Sequence, residues 1–154
     1  MQLTRAADYA VRVMITLAGM PSGARASRES LAESAEVPSQ FLGKVLQLLT
    51  RSQLIVSHRG SRGGFSLARP ASTISMLDVV ESIEGPIQLN VCLGQEDACG
   101  RRWFCSAHEV WLTAQAVLSG VLSSAKLDRL AADSHHRRQV SAPAPVRVEE
   151  IAWS

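Results

Sequence analysis

Three cysteines fall within fourteen residues, as Cys92-x6-Cys99-x5-Cys105, and His108 follows Cys105 after two further residues. An odd number of thiols argues against an intrachain disulfide framework. Structural zinc sites usually present Cys-x2-Cys pairs, and none is present here. Inert thiols would be scattered over helix faces, whereas these sit in a loop holding Gly94 and Gly100, with Glu96 and Asp97 at its turn. Widely spaced thiolates on a loop can wrap a polynuclear centre, and iron–sulfur clusters are held by thiolates, sometimes with one non-cysteine ligand. The expected cofactor is therefore a 2Fe-2S or 4Fe-4S cluster on Cys92, Cys99 and Cys105. A fourth ligand would be His108 or, reaching over from a partner subunit, Asp8. Zinc, or a cluster-free thiol switch that senses oxidants, is the alternative. Cys105 and His108 one helical turn apart, without an orienting third group, are a thin basis for nucleophilic catalysis, so no enzyme is expected.

The elements that must position this loop are legible upstream of it. Between Glu36 and Asp78 there is no carboxylate, while Lys44, Arg51, Arg59, Arg62 and Arg69 all fall there, although the net charge of the chain is only +2. Such a local positive field suits a polyanion. Residues 4–18 carry apolar positions at three- and four-residue steps, with Thr4 as N-cap, which predicts a helix. Ser27 opens a second, short helix that closes at Val37-Pro38. Pro38 then starts a third, Ser39 to about Arg51, with Phe41, Leu42, Val45, Leu46 and Leu49 as its apolar stripe. Two short helices across a three- or four-residue turn, the second amphipathic and basic, make a helix-turn-helix.

Leu54–Ser57 and Phe65–Ala68 read as two short strands around the glycine-rich turn 58–64. A hairpin directly after a helix-turn-helix makes a winged helix. Arg59 and Arg62 at its tip, with Gly60 allowing close backbone approach, suit a minor groove. Ser75 and Asp78 open a helix to about Ile83, which Glu84-Gly85-Pro86 stops. A longer helix is expected from Cys105 or Ser106 to Ser124, striped with Val110, Ala114, Val117, Leu118, Val121 and Leu122. A short helix follows near 126–132. The fold class is thus mostly α with a small β-hairpin wing: a winged helix-turn-helix plus a long dimerisation helix. The expected divisions are a DNA-binding domain over 1–86, a cluster loop over 87–105, a dimerisation region over 106–132 and a mobile tail over 133–154.

The chain's 154 residues, 46% hydrophobic, are enough for one domain with its own core. Its apolar runs fall far short of the ~18 residues that span a membrane. Arg5, Asp8 and Arg12 interrupt the place of a secretory signal, which predicts a cytoplasmic protein without a membrane partner.

The ordered set of motifs resembles the Rrf-type winged helix-turn-helix transcriptional regulators, which include iron–sulfur cluster regulators and nitric-oxide-responsive repressors. Carrying the likeness are Met1-Gln2-Leu3-Thr4 with Asp8-Tyr9-Ala10-Val11, the wing Arg59–Phe65, Asp78–Pro86, and the three cysteines with His108-Glu109-Val110-Trp111. They cover roughly residues 1–132. The resemblance implies a homodimer whose long helix crosses its twofold mate, and a cluster on Cys92, Cys99 and Cys105 near that interface. One branch uses a histidine placed like His108 and another an aspartate placed like Asp8 from the other subunit; this chain has both. Gly43 stands where the best-known member carries an acidic side chain, so the target sequence does not carry over. The expected function is a DNA-binding regulator, a repressor, that senses redox state, nitric oxide or iron–sulfur status. It would bind double-stranded DNA with Ser39, Gln40 and Lys44 in the major groove and with Arg59, Gly60 and Arg62 from the wing.

Overall fold

The computed structural model describes residues 3–60, 63–94 and 99–140. Helix α1 (Arg5–Ala18) starts where Thr4 Oγ1 accepts the Ala7 N–H. It buries Ala7, Ala10, Val13, Met14 and Leu17, the side that the three- and four-residue apolar spacing requires. Helix α2 (Arg28–Ser34) is capped by Ser27, and α3 (Ser39–Arg51) follows after four residues. The turn between them passes through Glu36 in the left-handed region at φ 53°, a position with no glycine to announce it. α3 buries Leu42, Val45, Leu46 and Leu49. These pack with Val13, Met14, Leu17, Leu31, Leu54, Ile55, Ile74 and Val79 in one core. Each fully buried side chain of this kind is worth about 1.5–3 kcal/mol over its exposed state.

Strands β1 (Ile55–His58) and β2 (Gly64–Leu67) pair antiparallel, in the register Ile55↔Leu67, Val56↔Ser66, Ser57↔Phe65 and His58↔Gly64. Both strands lie one residue nearer the turn than their apolar runs suggest. The reason is local: the Leu54 N–H is already used by the Leu49 carbonyl at the end of α3 (3.0 Å). On its other side β2 meets Ala26, which exchanges both backbone hydrogen bonds with Phe65 (3.0 and 2.8 Å).

Helix α4 (Met76–Glu84) opens with a reciprocal capping box: Asp78 N–H donates to Ser75 Oγ (3.1 Å), and Ser75 N–H to Asp78 Oδ2 (2.8 Å). At its far end Glu84 Oε1 accepts from both the N–H and the hydroxyl of Thr4 (3.0 and 2.6 Å), tying the start of α1 to the end of α4. Helix α5 (Ser106–Ser124) leads to α6 (Leu127–Val140). Short bonds at that junction, Met76 N–H to Ala125 O (2.8 Å) and Leu127 N–H to Ile74 O (3.0 Å), fasten it to the head of α4.

Residues 133–140, expected to belong to a mobile tail, instead continue helix α6 to Val140. Leu127 and Ala131 are buried, with Ala131 Cβ near Gly19 at the C-cap of α1, and Arg137 and Arg138 lie in the last turn, where cations suit the helix dipole. Residues 141–154 lie outside the described residues. No helix among the described residues is long and apolar enough to cross a membrane.

Burial opposes ionisation of Asp78, but hydrogen bonds from the Ser75 backbone and hydroxyl and the charges of Arg69 (3.4 Å) and Lys126 outweigh it. The carboxyl is thereby held below its ordinary 3.8. A carboxylate whose folded pKa is depressed contributes stability that is complete above the unfolded value and is lost as pH falls through the folded one. Asp78→Asn is expected to cost about 1 kcal/mol at pH 7, the usual worth of a cap. Urea unfolding should show the gap between variant and wild type closing as the pH falls below 3.8.

Candidate nucleic-acid interface and cysteine loop

Helix α3 turns Ser39, Gln40, Lys44 and Gln47 to solvent, opposite its buried stripe. No side chain caps its N-terminus, where Pro38 precedes Ser39. Free backbone N–H groups and the positive end of the dipole there suit an anion such as a phosphate. Arg59 and Gly60, at the near side of the wing turn, are exposed as well, and Gly60 takes φ 99°. Arg62 lies outside the described residues. In the wing, His58 Nε2 and Ser66 Oγ pair across the strands at 2.9 Å.

One residue of this face escaped the sequence reading. Arg28, the first residue of α2, lays its guanidinium against Gly43 and donates from Nη2 to the Ser39 carbonyl at 3.0 Å. The available signal was a glycine inside an otherwise well-formed helix.

The cysteine loop is less converged. Cys92 sits in a single 3₁₀ turn (Val91–Leu93), Cys105 is the N-cap of α5, and Cys99 follows the undescribed residues 95–98. All three thiols are free and half-buried. Cys99 and His108 line one cleft of about 690 Å³ with Trp103 and Leu112. His108 is buried, with its N–H bonded to the Cys105 carbonyl (3.0 Å), and its Nδ1 has no hydrogen-bond partner. Asp8 is on α1, exposed and paired with Arg12 at 2.8 Å. Three thiols and one orphaned imidazole nitrogen are donors of the right kind for an iron–sulfur cluster. Among the described residues, however, no three His, Cys, Asp or Glu side chains come close enough to hold a metal.

The sequence profile of the Rrf2 family, described as an iron-dependent transcriptional regulator, matches residues 3–133. The chain belongs to the Rrf2 family. It is 35% identical over 127 residues to a protein described as an HTH-type transcriptional regulator of Mycobacterium tuberculosis (strain H37Rv), covering 82% of this chain and 79% of that protein. Its fold is similar to that of CymR, the global cysteine regulator of B. subtilis, with a TM-score of 0.71 and 26% identity over 86% of this chain and 98% of that one. T. potens IscR is similar in fold, with a TM-score of 0.69 and 23% identity over 94% of both chains. As an Rrf2 protein the chain is a DNA-binding transcriptional regulator with the expected winged fold.

The wing of this Rrf2 protein depends on Gly64. Its φ is 132°, and a Cβ there would stand 2.5 Å from the Ala26 carbonyl oxygen. Gly64→Ala is expected to lower stability by about 1–3 kcal/mol, the usual cost of such strain, and to detach the wing. Thermal unfolding together with duplex retention on a gel checks both effects.

Proposed function

We propose that this Rrf2 protein acts as a homodimeric repressor whose two α3 helices enter successive major grooves of one duplex. The observation that supports this most directly is the exposed, carboxylate-free face of α3 beside an arginine-bearing wing, the wing bonded to Ala26 just before α2 and α2 bonded to the start of α3 through Arg28 and Ser39. Gln40 reads a base edge, and Ser39 and Lys44 take phosphates. Arg59, Gly60 and Arg62 follow the minor groove. Dimerisation is supported by α5. Val110, Val117 and Val121, spaced seven and four apart on one side of it, are 66%, 61% and 60% exposed, and the adjacent Trp103 is 89% exposed. Apolar surface of this extent rimmed by polar residues marks an interface, and twofold proteins match twofold sites. Val117→Asp is expected to give a monomer by sedimentation, with DNA affinity lowered at least tenfold.

For the sensor, we propose Cys92, Cys99 and Cys105 as ligands of an iron–sulfur cluster, with His108 or the partner subunit's Asp8 as the fourth. The orphaned His108 Nδ1 supports the histidine. When bound, the cluster would supply sensitivity to oxidants or nitric oxide. What this chain's own residues would contribute is a loop attached to the N-terminal end of α5, so that rearrangement of 92–105 shifts α5 and the spacing of the two heads. Allosteric couplings of this kind are typically worth ~1–3 kcal/mol.

A second reading, a cluster-free thiol sensor, is favoured by three free thiols with no three potential metal ligands converging among the described residues. A zinc sensor, the other cluster-free alternative, would need its ligands to converge as a cluster does. Anaerobic purification with iron and sulfide assays distinguishes the two. Near-equal iron and acid-labile sulfide, lost in Cys99→Ala, are expected for the cluster. Colourless, sulfide-free protein after reconstitution would sink it and leave the DNA-binding half standing.

A further inference from the structure

Arg28 and Gly43 form a matched pair on the DNA-facing side of α3. Gly43 supplies no side chain between Gln40 and Gln47, both exposed. A Cβ built at Gly43 would stand 3.0 Å from Arg28 Nη2, 3.4 Å from Cζ and 3.7 Å from Nη1. The guanidinium of a neighbouring helix thus lies over the backbone of α3, in the room the glycine leaves. Nη2 is also held by the Ser39 carbonyl at 3.0 Å, at the N-terminal end of α3. Arg28 is exposed, and among the described residues no carboxylate forms an ion pair with it. The adjacent Glu29 keeps its carboxylate on the start of α2. Its own backbone N–H, then Ser27, hold its pKa below the ordinary value, against a small opposing effect of burial, and the charge of Arg28 contributes least. Arg28 and Gly43 also line one cleft of about 330 Å³, with Gln47, Arg51 and Ser57, between α3 and the wing.

We propose that Arg28 determines sequence specificity: it reads a guanine in the major groove in place of a side chain at position 43, and Gly43 is the residue that makes room for it. This rests on the DNA-binding reading above. The planar guanidinium fork matches the O6 and N7 acceptors of guanine, and with one Nη2 hydrogen engaged by Ser39 four of its five donors are left for the groove. Its contact with the face of α3 puts it on the element that enters the groove, not on the flank where phosphates run.

The test is selection from a randomised duplex library, followed by titration at several salt concentrations, for wild type, Arg28→Ala, Arg28→Lys and Gly43→Ala. Wild type is expected to enrich a site with a G·C pair in each half. Arg28→Ala should lose that demand, bind the wild-type site about ten- to a hundredfold more weakly and keep its salt slope. Arg28→Lys keeps the charge but not the fork and should lose the same demand. The atoms nearest a methyl at position 43 are the movable end of Arg28. Gly43→Ala should therefore shift the preference at that base pair while melting no lower than wild type, alanine being the better helix former.

Two outcomes overturn the proposal alone. Uniform weakening on all duplexes by Arg28→Ala, with the salt slope reduced by about one per half-site, would make Arg28 a phosphate contact. An unchanged enriched motif in Arg28→Ala would leave it only a fastener between α2 and α3. A wild type that enriches no motif at all overturns the proposed sequence-specific reading by α3, and this inference with it.

Discussion

The paired backbone hydrogen bonds between Ala26 and Phe65 are the constraint on which the proposed DNA-binding surface depends. They make β2 the middle of three extended segments and join the wing to the residue just before the Ser27 cap of α2. A two-stranded hairpin alone is marginal in water. Anchored on both sides, it becomes part of the same body as α2 and α3. The approach is so close that only glycine fits at position 64. A sequence choice at the root of the wing thereby fixes where Arg59 stands relative to Gln40 and Lys44.

A second constraint joins this head to the cysteine-bearing half. Backbone bonds Met76–Ala125 and Leu127–Ile74 hold the C-terminal end of α5 against the capped start of α4. The other end of α5 carries Cys105 and His108, 19 residues and so roughly 28 Å of helix away. One end is firmly tied and the other rests on a thiol-bearing loop. The proposed sensor would use that arrangement to move a head. The same helix presents its exposed valines along its length, so the loop, the proposed dimer seam and the head share one helix.

Much of this was legible in the residues. Thr4, Ser27 and Ser75 cap the helices they were expected to cap, and Ser39–Arg51 and Ser106–Ser124 run over the stretches their apolar spacing marked. Capping and helical periodicity are short-range, so a linear reading sees them. The strands were displaced by one residue because register depends on a partner strand and on which N–H groups the preceding helix has already used. The His135–Arg138 run looked like a tail because polar residues carry no apolar stripe. Helix α6 nevertheless persists through them, held by Leu127 and Ala131 near its start.

The sequence by itself determined the helix-turn-helix, the wing and the clustering of three thiols, because local propensity, caps and residue type are written in order along the chain. Only the tertiary structure decided that Gly43 is covered by Arg28, that His108 is buried with Nδ1 unpartnered, and that no three potential metal ligands converge among the described residues. Those facts depend on distances between residues far apart in sequence. Such distances follow from how helices pack, which spacing along the chain does not encode.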